Sequence, residues 1–406
     1  MTTRQRGGPV RPPGRPGRRT EPVAASASAS AFELAEAVIR RSDREHPADD
    51  RLRQVLRESR AVTPKQARLV SGAVFAYYRW RGWLDPEQPL SQQLAQALDL
   101  ARGFARDPMG IPEADLRARA IPSWVASELE VTEGWLRHLQ TEPPLWLRAR
   151  VGGGVRLARE LDHCRPAGTG RLADALRYQG REDLFRSAAF HRGDFEIQDL
   201  HSQAVGWLCD PQPGETWWDA CAGEGGKTLH LAELMRNRGL IWATDRAAWR
   251  LDRLRRRAAR ARVFNYRARG WDGAAARPFR TPCDGVLVDA PCSNLGTWQR
   301  NPQARWTTTP ADVRELAIRQ LDLLTNVVAA LRPGGRLFYA VCTLTRAETT
   351  GVAEALARGQ PDLEPMPLVH PLCPEAPARS ELWLDPGATG ANGMFVAAWR
   401  RKAAVS

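Results

Sequence analysis

Apolar positions recur at helical spacing through the first third of the chain and in strand-like runs through the second half. Phe32, Ala35, Val38 and Ile39 share one helical face, as do Leu52, Val55 and Leu56, then Leu69, Val70, Ala73, Val74, Tyr77 and Tyr78. Pro47, Pro64, Pro86, Pro89 and Pro108 punctuate these helices, and a further helix is expected from just after Pro122 to about Gln140. Residues 32–142 therefore read as an all-helical domain. Tyr77, Tyr78, Trp80 and Trp83 are assigned to its core, ahead of a base-stacking role. Pro143 and Pro144 mark a boundary, and residues 143–200 read as a connecting α/β subdomain. In 201–402 strands and helices alternate. Strands are expected at 216–220, 240–244, 263–266, 285–290 and 335–341. The helices between and after them fall at 227–238, in the arginine-rich stretch after Asp245, at 309–331 and at 346–358. Two antiparallel strands, ELWLD and MFVAAWRR, close the chain. This order predicts a doubly wound, mostly parallel α/β sheet of Rossmann type, with ligands at the carboxyl ends of its strands.

Charge changes the picture. Of 406 residues, 59 are Lys or Arg and 46 are Asp or Glu, for a net +13, yet only Lys65, Lys227 and Lys402 are lysines. Such a balance points to a polyanionic partner, nucleic acid first, with a compositional bias towards arginine as the alternative. The charge is concentrated. Residues 1–31 carry six arginines and one acid, and residues 246–269 carry ten arginines and one acid. The first stretch is expected to be a disordered basic arm. The second reads either as part of an RNA track or as a solvated helix face. No apolar run is long enough to span a membrane, and no apolar core makes the N-terminus a secretory signal. Seven cysteines without CxxC pairs argue against a disulfide framework and a zinc site, so no metal is expected, and they favour the reducing cytoplasm.

The candidate chemistry gathers at strand ends. Asp219-Ala-Cys221-Ala222-Gly223-Glu224-Gly225-Gly226-Lys227-Thr228 joins a strand to a helix through glycines, which let a backbone approach a ligand closely. Alone this is a weak signal, because it has neither dinucleotide nor Walker spacing. Asp245, at the end of the next strand, suits ribose hydroxyls, and Asp272 is a weaker candidate for the adenine region; for either, a helix N-cap is an equal alternative. Cys292 and Cys342 each follow an apolar strand and should meet at the same sheet edge, near Asp289 and Lys227, where a cation favours a thiolate. Cys164, Cys209, Cys283 and Cys373 are read as small buried hydrophobes.

These segments, in this order, resemble the RsmB/Nop2/Sun family of RNA cytosine-5 methyltransferases. DACAGEGGKT is similar to that family's DxCAAPGGKT loop, and VDAPCSNLGTWQRNPQARW to its DAPCSGxGxxRRNPDxRW signature. FEIQDLHSQAVGWL and NGMFVAAWRR match flanking segments, and TPKQARLVSGAVFAYYRWRGWLD resembles the NusB-like RNA-binding domain of the bacterial small-subunit rRNA member. The resemblance implies a class I S-adenosylmethionine-dependent methyltransferase that acts as a monomer on rRNA. It implies Cys342 as the nucleophile towards C6 of cytosine, Cys292 as the residue assisting release, Asp289 as a hydrogen-bond partner of the ring, and Lys227 as a polarising group. Residues 221–227, Asp245, Arg250, Asp272 and Asp289 would line the cofactor. Glu224 stands where the family has proline, Val-Cys342-Thr replaces Thr-Cys-Ser, and QRNPQ (299–303) replaces RRNPD. A tRNA or large-subunit rRNA target, and a non-catalytic RNA-binding assembly factor with a relict cofactor fold, stay open on this reading.

Overall fold

The computed structural model describes residues 30–59 and 62–403. The expectation for the basic arm falls on residues 1–29, outside them. Six helices open the fold: α1 (Ala31–Arg40), α2 (Ala48–Glu58), α3 (Pro64–Trp80), α4 (Leu90–Arg106), α5 (Glu113–Arg119) and α6 (Glu133–Gln140). Their starts are written locally. Ser30 with Glu33 and Thr63 with Gln66 form reciprocal capping boxes on α1 and α3, and Pro64 takes the first helical position, where its missing N–H costs nothing. Val38, Leu52, Val55, Val70, Val74 and Tyr78 form one buried cluster. Phe32 and Leu69, expected on the same faces, are instead exposed, because each lies at the flank of its apolar stripe. The single helix expected over 122–140 is broken. A 3-10 turn spans Ser123–Ser127, and Thr132 starts α6 afresh by accepting from the Trp135 amide.

A small antiparallel sheet follows, ordered β2-β3-β1-β4, from β1 (Leu145–Ala149), β2 (Cys164–Pro166), β3 (Ala175–Tyr178) and β4 (Phe195–Ile197). Helices α7 (Gly154–Glu160), α8 (Ala188–Arg192) and α9 (Leu200–Cys209) lie along it in sequence. The remainder is the expected alternation: β5 (Thr216–Asp219), α10 (Gly226–Leu234), β6 (Leu240–Asp245), α11 (Ala248–Arg260), β7 (Tyr266–Gly270) and β8 (Cys283–Asp289). Then come α12 (Ala304–Thr307), α13 (Pro310–Val328), β9 (Leu331–Val341), α14 (Thr350–Gly359), β10 (Leu363–Pro365), β11 (Glu381–Leu384), α15 (Pro386–Thr389) and β12 (Met394–Arg401). The sheet runs β10-β12-β9-β8-β5-β6-β7, with β11 added on β12. Pairs among β5 to β9 are parallel, and those made by β12 are antiparallel. Adjacent Trp217 and Trp218 show why β5 is central. Their side chains point to opposite faces and seed separate buried clusters, Trp217 stacked on Phe338 and Trp218 edge-on to Trp271.

Several boundaries differ from expectation. Helix α10, expected to reach residue 238, ends at Leu234. The strand expected at 263–266 is β7 at Tyr266–Gly270, since ladder pairing with β6 begins only at Tyr266 and Phe264 points to solvent. Helix α13 ends at Val328, and Leu331 already belongs to β9. Helix α14 starts at Thr350 rather than 346, because residues 343–349 are held as a loop by buried hydrogen bonds. Cys164, Cys209 and Cys283 are buried, but Cys373 is exposed in the loop between β10 and β11.

The segment after the Cys292 loop does a different job from the loop itself. Residues 299–306 form the seam to the helical domain. Arg305 is fully buried and donates to the backbone oxygens of Arg79, Ala120 and Leu139, at 3.3, 2.9 and 2.9 Å. These oxygens lie at the C-terminal ends of α3, α5 and α6, where helices leave carbonyls unpaired and carry partial negative charge. Trp306 Nε1 donates to the Tyr78 carbonyl at 2.6 Å. Gln303 accepts from the Ala48 amide and donates to the Asp43 carbonyl, while Gln299 donates to Thr141 and its carbonyl accepts from Arg79. The two glutamines that depart from the family signature therefore sit at this seam, and Gln303 has both side-chain groups bonded.

Candidate active site

The carboxyl ends of β5, β6, β8 and β9 surround a cavity of about 560 Å³. Every candidate residue except Gly225 lines it. The glycine loop after β5 supplies its floor. Gly223 has a left-handed backbone (φ +53°), and a Cβ there would meet nothing within 4 Å, so the chain turns with its backbone open to the cavity. Gly225 is left-handed as well (φ +87°), and a Cβ there would meet Leu254 of α11 at 2.7 Å, so its lack of a side chain lets the start of α10 sit close to α11. The first turn of α10 brings unpaired amides and Lys227 to the same space. Asp219 at the end of β5 anchors this turn by accepting from the Thr228 hydroxyl at 2.6 Å. Its other oxygen, Oδ1, has no partner, and burial pushes the carboxyl up to about 7.

Asp245 closes the far side of the loop. Its two oxygens accept from the Gly223 amide at 3.0 Å and the Ala247 amide at 2.8 Å, so it acts as a loop brace at the start of α11 while still facing the cavity. Arg250 approaches it to 3.9 Å. Asp272 braces its own turn through the Ala274 amide. Glu224, the acid in the glycine loop, is paired with Arg253 of α11 at 2.5 Å, and Arg257 donates to the Glu224 carbonyl. The arginines of α11 are thus partly spoken for. Arg257 and Arg260 also hold Glu196, a carboxylate that burial alone would raise but that these two guanidiniums keep below its ordinary value. Arg257 and Arg260 therefore serve the fold through buried pairs with Glu196, whereas Arg253 and Arg255 make exposed pairs with Glu224 and Asp252.

The reactive groups lie across the loop. Lys227 Nζ meets Asp289 Oδ2 at 2.6 Å. Burial opposes the ammonium, but Asp289, with Cys342 and Asp219 beyond it, outweighs this and holds the lysine above its ordinary value. Cys292 Sγ and Cys342 Sγ are 3.4 Å apart, as their positions at the ends of adjacent strands predicted. Cys292 is buried, and Cys342 is the more open of the two. The hydrogen bond with Cys342, followed by burial, pushes the Cys292 thiol well up, so Cys292 keeps its proton at neutral pH.

Three contributors escaped the sequence reading. Glu348 is fully buried between the two cysteine loops. One oxygen accepts from the Ser293 amide at 2.8 Å and Gln320 at 3.0 Å; the other accepts from the Thr345 hydroxyl at 2.8 Å and Thr343 at 3.2 Å. Ser293 and Thr343, which follow the two cysteines, also bond to each other at 2.8 Å. The threonine in Val-Cys342-Thr therefore supplies the hydroxyl this arrangement uses. Arg319 of α13 lines the cavity, and nothing in its helical context marks it out. Asn294, left-handed at φ +58°, holds its Oδ1 3.1 Å from Cys342 Sγ. The family signature quoted above has glycine there, and that mismatch was its available signal.

The comparisons agree with this geometry. A family model described as 16S rRNA methyltransferase RsmB/F matches residues 206–400. The chain is 35% identical over 260 residues to the probable ribosomal RNA small subunit methyltransferase B of Synechocystis sp., covering 60% of this chain and 57% of that protein. It is 34% identical over 318 residues to the putative methyltransferase Rv1407 of Mycobacterium tuberculosis, covering 75% of this chain and 68% of that one. The solved protein PH0851 shares the fold, with a TM-score of 0.75 over 93% of this chain and 100% of its own, at 22% identity. The alignments span about half to two thirds of the length of these curated relatives. Sheet order, the glycine loop over its cavity and these matches together establish that the chain belongs to the RsmB/F methyltransferase family.

Proposed function

We propose that this chain is an S-adenosylmethionine-dependent RNA cytosine-5 methyltransferase acting on small-subunit rRNA. The observation that carries the reading is the pair of sulfurs 3.4 Å apart in the cavity, beside the Lys227–Asp289 pair. A methyltransferase that needed only proximity of donor and acceptor would have no use for two thiols at this spot. The residues present fit the cofactor. The open backbone at Gly223, the amides starting α10 and the carboxylates of Asp245 and Asp272 form a cradle for a nucleoside with a charged tail. S-adenosylmethionine supplies an electrophilic methyl group when bound.

Carbon 5 of cytosine is a poor nucleophile, so the ring must be activated. The Cys342 thiolate forms a bond to C6, and the electron pair displaced from the C5–C6 bond makes C5 nucleophilic. After C5 has gained its methyl group, H5 leaves as a proton, the S–C6 bond breaks and Cys342 recovers its thiolate. Cys342 suits the first role because it is the more open sulfur. Cys292 keeps its proton and suits the second, assisting release. Asp289 would hydrogen-bond the ring near N3 as a donor, carrying the proton it shares with Lys227, and so offset the negative charge that develops there. The base must leave its helix or loop to reach the cavity. The names of the relatives support the small-subunit target.

Tritium release from RNA carrying 5-tritiated cytosine tests the reaction. Cys342→Ala is expected to abolish it, and Cys292→Ala to accumulate a protein–RNA adduct, since addition persists while release slows. If neither substitution alters methylation, the reading is wrong. Bisulfite sequencing of RNA from a deletion strain, with one lost 5-methylcytosine expected in small-subunit rRNA, tests the target.

A further inference from the structure

We propose that Asn294 is a further catalytic residue, whose carboxamide hydrogen-bonds the Cys342 sulfur and favours its reactive form. The inference rests on the reading of Cys342 as the nucleophile. Asn294 Oδ1 lies 3.1 Å from Cys342 Sγ and 3.8 Å from Cys292 Sγ, so one side chain reaches both thiols. Its backbone is pinned. The Asn294 carbonyl accepts from the Thr297 amide at 2.8 Å and from the Thr297 hydroxyl at 2.9 Å, and the Gly296 amide donates to the Cys342 carbonyl at 3.0 Å. The left-handed φ of +58° is one that glycine and asparagine tolerate best, so asparagine adds a polar group here at little backbone cost.

A carboxamide can serve both states of the sulfur. Its oxygen accepts from the thiol, and after a half-turn about its last bond its N–H donates to the thiolate. The second contact is charge-assisted and the stronger of the two, so the side chain shifts the balance towards thiolate. The proton released passes to solvent through the cavity. Lys227 from α10, Asp289 from the end of β8, Cys292 from the following loop, Glu348 behind that loop and Arg319 from α13 are the charged and titratable groups around this sulfur, and of these Cys292 also contacts the Asn294 side chain.

The test is the pH dependence of Cys342 alkylation by iodoacetamide in the full-length protein, followed by mass spectrometry of the Cys342 peptide. Asn294→Gly fits the backbone without strain and removes the partner; alkylation at neutral pH is expected to slow about fivefold. Asn294→Asp keeps the shape but only accepts; its alkylation profile is expected to move to higher pH by about one unit or more. Both variants should lower kcat for RNA methylation with KM for RNA unchanged. Rates and profiles within twofold of the parent in both variants would overturn the inference. Cys342→Ala is run alongside: if it still releases tritium, the nucleophile assignment fails instead, and the two failures are told apart.

Discussion

Arg305 is a buried guanidinium with no carboxylate partner among the described residues, so replacing it measures what three helix ends contribute to domain docking. Its charge is unfavourable where it lies. Burial, with Arg79 nearby, pulls its pKa down to about 9. What holds it is the convergence of α3, α5 and α6, whose last carbonyls it satisfies. A cation at a helix C-terminus contributes up to about 2 kcal/mol in a partly buried setting, and each buried carbonyl left unpaired costs about 1–3 kcal/mol. Arg305→Met keeps the volume, relieves the desolvated charge and orphans the Ala120 and Leu139 carbonyls, while the Arg79 carbonyl keeps the Gln140 amide. The relief offsets several kcal/mol of the loss. The net expected cost is about 2–4 kcal/mol. The assay is urea unfolding followed by far-ultraviolet circular dichroism and tryptophan fluorescence. The midpoint of the first transition should fall and the helical signal should separate from the sheet-domain signal, since a chain of this size need not unfold in one step. Arg305→Lys keeps the charge without the planar fork and should fall between parent and Met. If Met lies within about 0.5 kcal/mol of the parent, or Lys is worse than Met, the helix ends do not stabilise this charge and the argument fails.

Three further outcomes follow from the same geometry. Glu348→Gln loses one acceptor position between the cysteine loops; methylation should fall at least about tenfold, with adduct formation and release changing in different proportion, since the variant loosens the spacing of the two sulfurs. Quench-flow trapping of the protein–RNA adduct reads this, and equal loss in both steps would count against it. Asp219 has a raised folded pKa of about 7, so the stability it contributes is present below pH 4 and is lost as pH rises to 7. Asp219→Asn should therefore gain on the parent by roughly 3 kcal/mol across that window in urea titrations at fixed pH, and parallel curves would contradict it. Arg257→Ala and Arg260→Ala should each lower the urea midpoint by leaving Glu196 short of a partner, yet change the salt slope of RNA binding by less than about one phosphate contact; a clear drop in slope would restore these residues to an RNA track.

What was legible in the sequence was whatever a short stretch of chain decides alone. The glycine loop and the two strand-end cysteines are local features, and parallel pairing of β8 with β9 then brings the sulfurs together without further instruction. Glu348 was invisible because its importance lies in four donors drawn from three separate segments, and in sequence it is one acid ahead of a helix. The ion pairs of Arg253, Arg257 and Arg260 were illegible for the related reason that their partners, Glu224 and Glu196, belong to other elements. A single run of residues can likewise hide two functions. From Asp289 to Asn294 the family signature carries chemistry, and from Gln299 to Trp306 it caps helices of another domain. Substitutions in the two halves must therefore be judged differently. Gln299 and Gln303 bond to Thr141, Ala48 and Asp43 at the seam and to neither sulfur. Asn294 touches the Cys342 sulfur itself, so among these departures it is the one that would alter the proposed reaction most directly.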